Sequence, residues 1–201
     1  MKLFYIPLTR SNRPRWLLEE LGVPYQLVRL DRAKSENQGP AYLAVNPTGK
    51  VPALIDGEVR IFESAAIVLY LADKYPEKGL CPPLGTEARA RYYQWALYAA
   101  TTLETPVADT AHHSAMRPEA LRVPSIAEEG RADFARVVKA AEDQLGKTPF
   151  ILGESFSAAD VLLGATLTWA RMVRLLDGHP HSKAYLERMM ARPAYQRSRA
   201  D

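Results

Sequence analysis

The sequence predicts an α/β domain followed by an all-α domain, and three observations carry that expectation. Short apolar, β-branched runs alternate with helical periodicity up to about residue 77. A segment dense in breakers, Pro76 to Gly85 with Gly79, Pro82 and Pro83 inside it, then interrupts both patterns. Beyond it the strand signals stop and amphipathic stripes take over. The expected boundaries are 1–77 for the first domain, 78–85 for a linker and 86–201 for the second.

Within the first domain, Lys2 to Ile6 reads as a strand ended by Pro7. A helix follows, with Trp16, Leu17, Leu18 and Leu21 inward, Glu19 and Glu20 facing water, Gly22 at its end and Pro24 stopping it. Tyr25 to Leu30 alternates as a second strand, and β-α-β implies a parallel pair with a right-handed crossover. Asp31 to Pro40 is a loop or weak helix before Ala41, Tyr42 and Leu43. Val51 to Ile55 and Val59 to Phe62 form a hairpin around Asp56-Gly57. Ser64 to about Tyr75 is a helix apolar around most of its surface, hence buried. The order β-α-β-α-β-β-α is a thioredoxin-like arrangement.

In the second domain, Thr86 caps a long helix through Tyr92, Trp95 and Tyr98 towards Leu103, with Pro106 bending or ending it. A polar bend spans His112 to Pro124, and a helix from about Ser125 to Leu145 carries Ile126, Phe134, Val137, Val138, Ala141 and Leu145 on one stripe. Ser157 and Asp160 have capping-box spacing, with Phe156 and Val161 as a staple, ahead of a helix too apolar to face water. His181 to Met190 and Pro193 to Arg199 are two short terminal helices.

The composition, 47% hydrophobic and 24% charged over 201 residues, suits compact domains with a real core. Net charge is +3, but the arginines are scattered without a dense basic block, which disfavours nucleic acid as a partner. Cys81 is the single cysteine, so no intrachain disulfide or Cys-x-x-Cys pair exists, and the chain reads as cytoplasmic. The start is too short in apolar residues for a signal peptide, and no stretch approaches a membrane span. The histidine pairs at 112/113 and 179/181 lack i, i+4 spacing and acid or cysteine partners, so no metal is expected.

The chemistry concentrates in Asn46 to Ser64. Pro52 lies inside an apolar strand signal, where it cannot donate to a ladder, and Val51-Pro52 is a candidate cis peptide. Glu63-Ser64 falls where strand gives way to helix, so the Ser64 hydroxyl and the first free amides can take a carboxylate while Glu63 pairs with an ammonium. The bland alternative is an N-cap serine beside a solvated glutamate.

The run G-K-V-P-A-L-I-D-G, closing with E-S before A-A-I-V-L-Y-L-A, resembles the glutathione-binding segment of the cytosolic glutathione S-transferase family. The Ser157–Asp160 spacing resembles that of the buried helix in the family's helical domain. The resemblance implies glutathione as co-substrate, a cis bond before Pro52, Val51 pairing strand-like with the cysteinyl unit, and Glu63 and Ser64 holding the γ-glutamyl end. It also implies a homodimer. Lys34 and Lys50 flank that site and are candidates for the glycyl carboxylate, Lys50 the better because it adjoins Val51.

A transferase must stabilise the glutathione thiolate, and a hydroxyl, a cation or a helix amino terminus can each contribute about 1 kcal/mol or more. The turn Pro7 to Pro14 supplies all three, since Pro14 places the helix start within Ser11 to Pro14 with its free amides pointing back at the loop. Against the family's bacterial beta class, Tyr5, Pro7, Ser11 and Pro14 align, while the class cysteine falls on Arg10. Ser11, Thr9, Arg10 and Tyr5 all compete as the thiolate's partner. Ser11 ranks first because an N-cap hydroxyl sits where the dipole acts, its alternative being a plain cap. Arg10 is otherwise a solvated loop residue and Tyr5 a core one. The acceptor pocket is expected between the Thr9 loop and the first long helix, lined by Tyr98, Thr102 and His112 or His113. The implied reaction is thiolate attack on a hydrophobic electrophile. Rivals are a glutathione-dependent isomerase or peroxidase, although Thr-Arg-Ser lacks the isomerase's Ser-Ser-Cys start, and a non-enzymatic regulator of the stringent-starvation type.

Overall fold

The computed structural model describes residues 1–200, which divide into two compact units. The first comprises residues 1–81 together with the chain from Ala191 on; the second is Pro82–Met190. The expected boundary placed the last helix in the second domain, and the difference lies in what that helix packs against.

The first unit holds β1 (Lys2–Tyr5), α1 (Asn12–Leu21), β2 (Gln26–Arg29), α2 (Pro40–Leu43), β3 (Ala53–Asp56), β4 (Val59–Phe62) and α3 (Ser64–Lys74). A 3₁₀ turn, Glu36–Gln38, precedes α2. The sheet order is β2-β1-β3-β4, with β1 and β2 parallel and the other pairs antiparallel, as the thioredoxin-like reading requires. Strand alternation sorts the side chains. Leu3 and Tyr5 are buried with Trp16, Leu17, Leu18, Ile67, Val68 and Leu71 of α1 and α3. Phe4 meets Tyr42 edge-on at 5.5 Å, in a second cluster with Ile6, Leu30 and Ala53.

The last helix, numbered α10 below (Pro193–Ser198), packs on α1. Tyr195 meets Trp16 at 4.9 Å, Arg192 pairs with Glu20 at 2.7 Å and Arg197 with Glu19 at 2.8 Å. Glu19 and Glu20 therefore do not simply face water: Glu20 also accepts from Trp16 Nε1 and Glu19 from the Tyr25 hydroxyl. Their spacing on α1 identified an outer face but not the helix that covers it.

The second unit comprises α4 (Glu87–Leu97), α5 (Glu104–Ala111), α6 (Pro124–Val137), α7 (Lys139–Leu145), α8 (Ala158–Met172) and α9 (Pro180–Met190). Thr86 caps α4, accepting from Arg89 N–H at 3.2 Å. The long helix continues past Leu97 through a wide π-helical turn, Tyr98–Thr102, closed by Leu103 N–H on the Tyr98 carbonyl. That turn precedes Pro106, whose ring would collide with the Thr102 carbonyl in a regular helix. A second wide turn, His112–Met116, ends α5. The helix expected over Ser125 to Leu145 breaks at Val138 into α6 and α7. The Ser157–Asp160 capping box is formed, and α8 is buried along most of its length. Among the described residues no helix is long and apolar enough to cross a membrane.

Candidate functional site

Sheet register gathers the first-unit candidates at one end of the sheet. Phe4 pairs with Ala53 and Ala53 with Phe62, so three segments leave from that edge. They are the turn after β1, the Val51-Pro52 segment before β3, and Glu63-Ser64 after β4. Because β2 is parallel to β1, with Arg29 opposite Tyr5, the loop carrying Asp31 and Lys34 leaves there too. A groove of 710 Å³ opens between Ile6 and Pro7 on one side and Asp31, Arg32 and Ala33 on the other.

Val51-Pro52 is cis, as the motif suggested. β3 begins at Ala53, which leaves Val51 outside the ladder. Two residues not singled out from the sequence hold this segment. The Tyr42 hydroxyl and Asn46 Nδ2 both donate to the Lys50 carbonyl, at 2.5 and 2.6 Å. Burial pushes the Tyr42 phenol up to about 12, so it remains a donor across the neutral range. Asn46, 1% exposed, also accepts from the Thr48 amide and hydroxyl, which closes the turn.

At the other strand end Glu63, not Ser64, occupies the N-cap of α3, with φ 73° and no side-chain cap bond. A non-glycine residue in that conformation costs roughly 1 kcal/mol. Glu63 is exposed, while Ser64 opens the helix and is buried. Its hydroxyl accepts from Arg13 Nη1 at 3.2 Å. Arg13 is a functional candidate that sequence reasoning missed, a guanidinium 4% exposed beneath a helix amino terminus. The available signal was a cation in the first turn of α1, against the helix dipole.

Lys34 is 75% exposed in its side chain and lies 3.5 Å from Asp31. Lys50 is also exposed. Their segments are tied, because Asn37 Nδ2 and Gln38 Nε2 both donate to the Gly49 carbonyl.

The β1–α1 turn departs from expectation. Ser11 stands at the N-cap position, but its hydroxyl makes no cap bond and turns back towards the strand end. It is fully buried. The first amides are not free either: Ser11 N–H donates to Thr9 Oγ1, Asn12 N–H to the Thr9 carbonyl and Arg13 N–H to the Arg10 carbonyl. Local turn closure consumes the donors that Pro14 was expected to leave open. Thr9 is partly exposed and Arg10 exposed. Tyr5, 4% exposed beneath the Arg15 guanidinium, sits in the core.

The acceptor candidates lie in the second unit. Tyr98 and Thr102 bound the first wide turn and His112 opens the second. The Tyr98 hydroxyl donates to the Val137 carbonyl at 2.8 Å, and burial pushes that phenol upward, so its polar end is occupied within the helical unit. Thr102 is exposed, and His112 meets Trp169 edge-on at 6.0 Å. His113 is buried, its Nδ1 accepting from Val123 N–H at 2.9 Å, which is a structural role. Among the described residues no group of three or more His, Cys, Asp or Glu is placed to hold a metal.

Comparison with known proteins matches residues 1–73 to the glutathione S-transferase N-terminal domain and residues 124–188 to the glutathione S-transferase C-terminal domain. The chain is 35% identical to glutathione S-transferase GstA of Escherichia coli O157:H7, over 98% of this chain and 96% of that one. It is 30% identical to glutathione S-transferase 3 of Zea mays, over 98% and 92%. A glutathione transferase structure from Methylococcus capsulatus superposes with a TM-score of 0.85 at 33% identity, covering 98% and 96%. A sphingomonad glutathione S-transferase complexed with glutathione gives 0.86 at 28%, covering 99% and 97%.

Proposed function

Since the chain belongs to the glutathione S-transferase family, we propose that its first unit binds glutathione and stabilises the thiolate for attack on a hydrophobic electrophile. One observation carries the reading. The cis Val51-Pro52 peptide, the Glu63-Ser64 start of α3 and the β1–α1 turn leave the same end of one sheet. Val51 offers main chain to the cysteinyl unit, and the α3 amides with Ser64 take the γ-glutamyl carboxylate. Arg13 adds a cation beneath that carboxylate, and Glu63 pairs with the α-ammonium. Lys50, with Lys34, holds the glycyl carboxylate. Thr9, Ser11 and Arg10 form the turn that faces the sulfur.

The sulfur lone pair then forms a bond to an electrophilic carbon while the leaving group departs with its electron pair. Tyr98, Thr102 and His112 are the second-unit residues assigned to the electrophile. Support for them is that they bound wide helical turns, which recur at functional sites. The protein acts as a cytoplasmic homodimer in this reading, as the family's members usually do.

Calorimetric titration with glutathione tests the binding half. Glu63→Ala should weaken affinity by about 1.5–3 kcal/mol, the worth of a charge-assisted contact. Unchanged affinity would remove Glu63 from the site, and no binding by the intact protein would remove the reading. A panel of aryl halides, peroxides and maleylacetoacetate then separates transferase from peroxidase and isomerase.

A further inference from the structure

The hydrogen bonds of the β1–α1 turn single out one hydroxyl that a sulfur can meet. Thr9 Oγ1 lies 2.7 Å from the Ile6 carbonyl oxygen, which can only accept, so the Thr9 proton is committed to that contact. The 2.7 Å contact between Thr9 Oγ1 and Ser11 Oγ must then take its proton from Ser11. Ser11 N–H donates to the same threonine oxygen at 3.2 Å, and Ile6 N–H donates to Ser11 Oγ at 3.4 Å. Thr9 thus receives two hydrogen bonds and gives one. Ser11 is 0% exposed, and no ligand atom touches a side chain without exposed surface. Thr9 is partly exposed, and the amides of residues 11–13 are spent inside the turn.

We propose that Thr9 is the hydroxyl that donates to the glutathione thiolate, and that Ser11 is its positioning residue, acting through the Ser11-to-Thr9 hydrogen bond. When the thiol has lost its proton to solvent, the Thr9 O–H rotates about Cβ–Oγ1 from the Ile6 carbonyl to the sulfur. No covalent bond of the protein changes. The Ser11 hydroxyl and amide stay on Thr9 Oγ1, where two incoming donors draw charge from the oxygen and strengthen its own O–H as a donor. They also fix the threonine rotamer, which a single hydroxyl on a turn would not do.

The proposal rests on the glutathione reading, and its test keeps the two apart. Binding of S-methylglutathione, which has no thiol to ionise, is measured by calorimetry in wild type, Thr9→Val, Thr9→Ser, Ser11→Ala, Arg10→Ala and the Thr9→Val/Ser11→Ala double variant. Absence of binding by the wild type overturns the glutathione reading itself. The bound glutathione thiol is then titrated in each by its ultraviolet thiolate absorbance. Thr9→Val raises the midpoint by about one unit, roughly tenfold less thiolate at a fixed lower pH, and Thr9→Ser restores it. Ser11→Ala raises it by less, and the double variant titrates with Thr9→Val. An unmoved midpoint in a Thr9→Val protein that binds the methylated analogue overturns the assignment. So does a Ser11→Ala shift as large as that of Thr9→Val, a double variant with additive shifts, or a shift confined to Arg10→Ala. If the Ser11 variant does not fold, the Thr9 pair alone decides the donor.

Discussion

Asp160 accepts from Ile151 N–H, from the Ser157 amide and hydroxyl, and from the Tyr185 hydroxyl, all within 3.0 Å and with no solvent exposure. Every one of those partners is a donor, so the site fits a carboxylate, although burial pushes the acid upward. Asp160→Asn would set amide protons against donors, and unfolding in urea should show a loss of about 3 kcal/mol. A loss below about 1 kcal/mol would mean the charge is dispensable. This residue was readable from the sequence because its partner Ser157 is three positions away. The strand-to-helix junction at Glu63-Ser64 was readable for a related reason, since the change of hydrophobic period there is local, but that Glu63 and not Ser64 takes the N-cap was not. Arg13 and Asn46 were not. Arg13 meets Ser64 across 51 positions, and Asn46 looks like turn punctuation until its amide is seen on the Lys50 carbonyl. Ser11 misled in the opposite direction, since N-cap position does not dictate which way a hydroxyl turns.

Packing of α6 on α5 depends on an absent side chain. A Cβ on Gly130 would come within 2.7 Å of Thr110 Oγ1 and 2.9 Å of the Pro106 carbonyl. Alanine is the better helix former by about 1 kcal/mol, yet overpacking costs roughly 1–3 kcal/mol. Gly130→Ala should therefore lower the urea midpoint, and a raised midpoint would show that the two helices can part cheaply. At α9 the cap comes from another helix. Glu142 of α7 accepts from the His181 amide at 2.8 Å and from the Ser182 amide and hydroxyl at 2.9 and 2.6 Å. Burial pushes the Glu142 acid up, but the Ser182 and His181 donors outweigh it and hold it below its ordinary 4.5. A carboxyl lowered on folding contributes stability that is complete above the unfolded value and is lost as pH falls through the folded one. Glu142→Gln should cost about 1 kcal/mol at neutral pH after solvent screening. The gap between variant and wild type should close on acidification below 4.5. A gap that persisted would point to packing instead of charge. Neither device was legible in sequence. The first needs the distance between two helices, and the second joins residues 142 and 181 through a tertiary contact.

Two classes of unit were visible in the sequence because hydrophobic period changes at the linker, and period is a local property. The return of the chain to the first unit at Ala191 was not, since Pro193 to Ser198 reads as a short amphipathic helix that suits either unit. Its address is written in pairings: Arg192 with Glu20, Arg197 with Glu19, and Tyr195 on Trp16. The first unit is accordingly built from two segments far apart in sequence, while the second is continuous. Removing the residues from Ala191 on would uncover Trp16, 1% exposed with α10 in place, and strip two carboxylates of their arginines. Lost burial of Tyr195 and Ala194 alone is worth about 2–3 kcal/mol, and the ion pairs add about 1 more because their rims are wet. Against a domain stability of roughly 5–15 kcal/mol that is a large share. Hydrogen exchange on a chain stopped after Met190 should show the β1 and α1 amides opening about a hundredfold or more faster, while those of α8 keep their protection. The point variant Tyr195→Ala should do the same in smaller measure. Uniform acceleration in both units would mean that they unfold as one, and protection of β1 and α1 unchanged by the truncation would mean that α10 rests on the first unit without supporting it.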